Sequence, residues 1–266
     1  MQRCFSSLGW PEATLDQLLA LAVRHGIPAI EVRALGGSIE LPPYLAQTYG
    51  NPALLAARLR EAAWPVRIVA FDAGMKLVGA TEAARAELLD LAPWAEALGV
   101  PWLRVFDGGK AADAAEIAEG ASTLHWWRGE RAARGWRVDL MVETHDSLLT
   151  AAALGRLLAA VPEAALLWDS HHTWRKGGED PVVTWRAIRH RVVHIHIKDG
   201  TGIPSARHPF SYSLPGDGEF PIAALRAALA ADGYQGHLCL EWERKWHPYL
   251  PPLEDALRTA AVRAWW

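Results

Sequence analysis

The sequence predicts a single (β/α)₈ barrel with parallel strands, residues 1–266 forming one domain, and three observations predict it. Segments with strand character and segments with helix character alternate eight times along the chain. The connections are short, and no Pro/Gly/Ser-rich or charged linker divides the sequence. The ends of four strands carry ligand-type side chains, which is where a barrel gathers its chemistry. A doubly wound sheet would instead place G-x-G-x-x-G straight after the first strand; neither that motif nor a P-loop occurs.

The first strand, residues 3–8, leads through Gly9-Trp10-Pro11 into a helix capped by Thr14 and stopped by Gly26. Its apolar positions Leu15, Leu18, Leu19, Ala22 and Val23 fall at helical spacing. The second strand covers 27–32; a Gly- and Pro-rich loop then leads to a helix at 52–63. Strand 66–71 precedes helix 81–98, strand 102–106 precedes helix 111–134, and strand 136–143 precedes helix 148–160. Strand 165–169 is followed by a helix at 181–190, and strand 192–198 by a long loop and a helix at 221–231. Strand 237–241 and an amphipathic helix at 253–266 complete the eight units. In the seventh strand, apolar Val193, Ile195 and Ile197 alternate with His194, His196 and Lys198, so one face packs and the other carries imidazoles.

Composition bounds the function. With 51% hydrophobic residues the chain can bury a large core, and a net charge of -3 gives no general attraction to nucleic acid or to an anionic membrane. No secretory h-region and no run of eighteen apolar residues is present, and Cys4 and Cys239 make neither a disulfide framework nor a C-x-x-C zinc site. The expectation is a cytoplasmic protein whose partner is a small molecule, with no nucleic-acid or membrane partner.

Glu143, Asp169, His196 and Glu241 close the fifth to eighth strands, and the alternation of side chains turns all four toward the barrel axis. Three carboxylates and an imidazole brought together repel and disturb one another's protonation unless a cation sits between them. An oxygen-rich set with one nitrogen suits one divalent ion: Mn²⁺, Mg²⁺, Co²⁺ or Zn²⁺.

Several motifs carry a family resemblance: Glu143-Thr-His145, Asp169-Ser-His-His172, His194-Ile-His-Ile-Lys-Asp199, Pro215-Gly-Asp-Gly-Glu-Phe220 and the glutamate ending strand eight. Together they resemble the xylose isomerase-like TIM barrels, in particular the sugar phosphate isomerase/epimerase group, over nearly the whole chain. The resemblance implies that Glu143, Asp169, His196 and Glu241 bind one divalent cation, that His172 touches substrate, and that barrels pair as homodimers. With the chemistry of the site, it implies that the metal chelates the carbonyl and adjacent hydroxyl of a sugar or related polyhydroxy ketone. Glu143 and Glu241 are then the catalytic pair, passing a proton through a cis-enediolate. His145, Lys198 and Arg207 are the further substrate-binding candidates, Arg207 as holder of a phosphate or carboxylate, and Trp10 is a candidate apolar wall. His194 is either a support for the metal ligands or a core residue. Glu31 and Arg33 read as an ion pair bracing the barrel, and the loop 200–220 as a lid.

Three rival functions use related residues. A metal-dependent dehydratase or lyase acting on a keto-polyol shares nearly the whole constellation. An abasic-site endonuclease with three zinc ions needs histidines ending strands three and four, which this sequence lacks. A non-catalytic sugar-binding barrel would not need both glutamates.

Overall fold

A computed structural model describes residues 1–266. Its strands are β1 (Gln2–Ser6), β2 (Ala29–Val32), β3 (Arg67–Val78), β4 (Trp102–Gly108), β5 (Asp139–Glu143), β6 (Ala165–Asp169), β7 (Val192–Ile197), β8 (Asp199–Thr201), β9 (Ser211–Ser213) and β10 (His237–Leu240). Eight of them close into a parallel barrel in the order β1-β10-β7-β6-β5-β4-β3-β2, while β8 and β9 form an antiparallel hairpin beyond β7. The predicted (β/α)₈ barrel is therefore the observed architecture.

The helices are α1 (Leu15–Arg24), α2 (Leu41–Tyr49), α3 (Pro52–Ala62), α4 (Glu82–Leu98), α5 (Ala114–Arg134), α6 (Ala151–Ala160), α7 (Ser170–Arg175), α8 (Pro181–Ile188), α9 (Ile222–Ala231) and α10 (Leu253–Val262). Local chemistry sets their ends. Thr14 accepts from Gln17 N while the Gln17 side chain accepts from Thr14 N, a reciprocal cap on α1. Gly99 and Gly135 end α4 and α5 in the left-handed region, at φ 67° and 66°. No helix is long and apolar enough to cross a membrane.

Two helices depart from expectation. α2 occupies the Gly/Pro-rich segment read as loop, because Pro42 and Pro43 fall in its first turn, where no backbone N–H is needed. α7 begins directly at the end of β6, where Asp169 Oδ1 accepts the N–H of His172 at 2.8 Å. The metal-ligand candidate Asp169 is thus also a helix cap.

Two cores result. The main one fills the layer between strands and helices, with Leu140, Val142, Leu166, Trp168, Ile195 and Leu240 turned outward into it. The barrel interior is closed at one end by small and medium-sized apolar residues: Cys4, Ala29, Val69 and Cys239 in one group, Ala70, Met141, Ala165 and Leu167 in another. Above this plug Glu31, Arg104, Glu143, Asp169, His196 and Glu241 bring buried polar groups together, and the candidate site begins there.

Candidate functional site

Glu143, Asp169, His196 and Glu241 arrive at the same spot, one ligand atom of each lying within 4.8 Å of the others, all four buried. His196 Nδ1 is 3.2 Å from Glu241 Oε2 and 3.6 Å from Glu143 Oε1. The other ring nitrogen, Nε2, is 2.7 Å from Glu31 Oε2, which His194 Nε2 also approaches at 3.0 Å. Glu31 therefore orients His196 so that Nδ1 looks into the cluster. Burial pushes the Glu31 carboxyl up, but the two imidazoles outweigh it and hold the group well below the ordinary carboxylate range. His196 is subject to the reverse balance: burial favours its neutral form, yet Glu241 and Glu31 hold the imidazolium well above the usual histidine value. Asp72, beside Glu31, is pushed well above its ordinary value by burial first and by that neighbouring charge second, against the pull of Arg104 Nη2 3.5 Å away.

Three buried atoms of the cluster have no aligned hydrogen-bond partner: Glu143 Oε2, Asp169 Oδ2 and His196 Nδ1. Each faces a charged neighbour instead, Arg104 Nε at 3.1 Å from Glu143 Oε2, Lys198 Nζ at 2.8 Å from Asp169 Oδ2 and Glu241 Oε2 at 3.2 Å from His196 Nδ1, so the cluster is held by charge rather than by aligned hydrogen bonds. A divalent cation satisfies all of them at once, so the residues present fit one.

Lys198 sits among these ligands rather than in open space. Its ammonium is 2.8 Å from Asp169 Oδ2 and also contacts Glu241 Oε2 and Glu243 Oε1. Although burial disfavours the charge, Asp169, Glu241 and Glu243 hold it well above the ordinary lysine value. This corrects its expected place as a group on the substrate side: only 1% exposed, it balances carboxylate charge from within.

Over the cluster opens a cavity of about 330 Å³. Glu143 and Glu241 line it, whereas Asp169 and His196 lie beneath. His172 and His145 reach its wall as expected; His172 Nδ1 is engaged by Asp169 Oδ2 at 3.0 Å and Thr144 O at 3.2 Å. Arg207 reaches it too, its Nη1 donating to Trp246 O at 3.0 Å, and Trp246 forms the apolar wall. Trp10 does not. It lines a separate shallow pocket with Arg244 and Leu253, because the turn after β1 carries it away from the axis. Nor are Glu31 and Arg33 an ion pair: Glu31 points inward to the histidines, while Arg33 Nη1 donates to Ile39 O at 3.0 Å and its side chain lines the cavity. Consecutive strand residues face opposite sides, but two residues apart they share one, and the end of β2 splays the pair.

Sequence reasoning missed Arg104 and Glu243. Arg104 is 1% exposed, with Nε 3.1 Å from Glu143 Oε2 and its guanidinium 3.9 Å over the Phe106 ring. A charged residue among the apolar Trp102, Leu103, Val105 and Phe106 of the fourth strand was the available signal. Glu243 lies two residues beyond Glu241, on the same parity, and also faces the cavity.

Fold and site together define an α/β barrel with a carboxylate and imidazole cluster of metal-binding type at the carboxyl ends of its strands. The chain belongs to the xylose isomerase-like TIM barrel family, whose model matches residues 19–264. An inosose dehydratase from Klebsiella pneumoniae is 28% identical over 143 residues, 48% of this chain; the match spans 47% of that relative, about half its length. Among solved structures, the IolI protein with a bound zinc atom superposes with a TM-score of 0.77 at 18% identity, covering 99% of this chain and 96% of its own. A D-psicose 3-epimerase superposes at 0.71 with 15% identity and 98% of both chains. At such identities these likenesses speak for the fold.

Proposed function

We propose that this protein is a divalent-metal-dependent isomerase or epimerase of a sugar or related polyhydroxy ketone. The observation that carries the reading is that, of the four clustered ligands, the two glutamates alone line the cavity, from β5 and from the end of β10, with β6 and β7 between them. A substrate above the cluster thus meets a carboxylate from two directions.

A cation held by Glu143, Asp169, His196 and Glu241 supplies, when bound, Lewis-acid polarisation of a carbonyl and so acidifies the adjacent C–H. The chain's own groups do the rest. Glu241 stays ionised because His196 and Lys198 outweigh the burial that favours its neutral form, which makes it a base at neutral pH. In this reading Glu143, beside Arg104 Nε, is the second acid/base: in its protonated form it delivers a proton to the other face of a planar enediolate while Glu241 keeps the one it removed. His172, with Nδ1 occupied, has Nε2 left for a substrate hydroxyl. Leu8, Phe106 and Trp246 provide apolar wall that keeps bulk water from the exposed carbanionic carbon.

A dehydratase acting on a keto-polyol is the second reading, favoured by Glu243: a third carboxylate on the cavity wall, ion-paired with Lys198, can relay that ammonium's proton to a departing hydroxyl, which leaves as water. The likeness to inosose dehydratase supports it.

The test is solvent exchange. Metal-loaded protein in deuterated water with a panel of ketoses is expected to label the carbon beside the carbonyl, and Glu241→Gln to slow this by about 10²–10⁴-fold. Equal labelling in both proteins defeats the assignment. Mass loss of one water separates the dehydratase from the isomerase.

A further inference from the structure

We infer that the cavity is built for an anionic substrate, a hydroxy-carbonyl compound bearing a carboxylate or a phosphate ester, selected by Arg33 and Lys176 on opposite walls and by Arg207 at the rim. The inference rests on the function proposed above and narrows its substrate class.

The charges lining the cavity do not cancel. Each carboxylate has a cation: Glu143 has Arg104, and Glu241 and Glu243 share Lys198. Three cations have no carboxylate within 4.0 Å. Arg33 Nη1 holds only Ile39 O, Lys176 Nζ only His145 O at 3.3 Å, and Arg207 Nη1 only Trp246 O. Lys176 and Arg207 are open to water, which screens them. Arg33 is not: it is 6% exposed, and a guanidinium buried without a counter-charge is costly unless something else satisfies it. Burial, then repulsion from Arg104, draws it down to about 10. On the opposite side, His208 is pushed down to about 4 by burial and then by the charge of Lys176, so no further acid hides there.

Topology sets the span. Arg33 follows β2 and Lys176 follows β6, which stand opposite one another in the ring of eight strands. A substrate resting on the glutamates therefore has a cation at either end, and a planar fork at one of them suits a carboxylate or phosphate oxygen pair. The volume of about 330 Å³ is at the small end for ligand sites, which fits one compact acid and excludes a nucleotide or an oligosaccharide.

The experiment is calorimetric binding to the metal-loaded, full-length protein of a matched set: a neutral six-carbon ketose, the keto-acid of the same length, and the ketose 6-phosphate. At least one anionic member is expected to bind ten-fold or more tightly than the neutral one; which of the two does so identifies the group. Lys176→Gln and Arg207→Gln, both on the cavity rim where folding is not at risk, are expected to remove most of that preference while neutral binding moves less than two-fold. Arg33→Gln, if it folds, is expected to do the same. Equal or tighter binding of the neutral ketose, no binding by any member, or an anion preference that survives the rim substitutions overturns the inference. Solvent exchange reads separately: exchange on neutral ketoses without charge preference sinks this inference alone, and anion-selective binding without exchange sinks the catalytic reading alone.

Discussion

Lys198 decides how the carboxylate cluster survives without an ion. Its ammonium is the counter-charge nearest Asp169 and Glu241, so Lys198→Met leaves those groups buried and unpaired. Breaking a buried pair costs about 3–5 kcal/mol, and that loss is expected in chemical denaturation of the metal-free protein. With a divalent cation bound the loss is expected to shrink, because the ion takes over the charge; an equal loss in both forms contradicts the role given to Lys198. Asp72 makes a second residue-scale prediction. Its folded pKa lies above the unfolded value of about 3.9, so the stability it contributes is full below that value and is lost as pH rises through the folded one. Asp72→Asn cannot ionise. Its melting temperature relative to wild type is therefore expected to rise between pH 5 and pH 8, and a flat difference rejects the raised pKa of Asp72.

At the scale of elements, the segment from β8 to β9 and on to Phe220 is held by one side chain. Asp199, 1% exposed, accepts the backbone N–H groups of Gly200 at 2.8 Å, Gly216 at 2.7 Å, Gly218 at 3.0 Å and Phe220 at 3.1 Å. A Cβ at Gly218 would meet Asp199 Oδ1 at 2.1 Å, so the clasp needs glycine there. Asp199→Ala is expected to loosen the loop that carries Arg207 and His208, raising KM by about ten-fold or more with a smaller change in kcat. Faster proteolytic cleavage within 202–210 is the independent check, and unchanged KM and cleavage refute the clasp. The clasp also shows what the sequence conceals. Strands β5 to β7 and β10 were legible because a period of two with β-branched and apolar residues leaves little choice, and their ends named the four clustered ligands. α2 was not, since Pro42 and Pro43 read as breakers when their position in the helix is unknown. Trp10 was misplaced and Arg33 undervalued for one reason: past the last ladder hydrogen bond, side-chain direction no longer follows strand parity. Arg104 and Lys198 required knowing which charges end up buried together, and that is a property of the closed barrel.

For the molecule as a whole, the barrel interior divides into an apolar plug that contributes to stability and a polar half that draws on it. Burying Cys4, Met141 and Leu167 is favourable by about 25 cal/mol per Å² of apolar surface, whereas Glu143 Oε2, Asp169 Oδ2 and His196 Nδ1 sit above without aligned hydrogen bonds. Metal binding is then predicted to be coupled to global stability. A cation at one hundred times its Kd adds about 2.7 kcal/mol, which for a chain of this size is a rise in melting temperature of about 5–10 °C, reversed by a chelator. The coupling has a definite pH sign. Metal-free, His196 holds its proton to well above the ordinary value, so at neutral pH an incoming cation must displace it, and apparent affinity is expected to climb as pH rises toward that folded value. Toward acid, Glu31, Asp169 and Glu241, all held below their ordinary values, keep their contribution to the fold until pH falls through those depressed values. Titrating the ion in two buffers of different ionisation enthalpy measures the proton count directly: about one released per ion near pH 7 is expected. Stoichiometric binding with no release would mean that Nδ1 of His196 already lies bare in the metal-free protein, and the arrangement of an imidazolium facing Glu31 through Nε2 and Glu241 through Nδ1 would have to be abandoned.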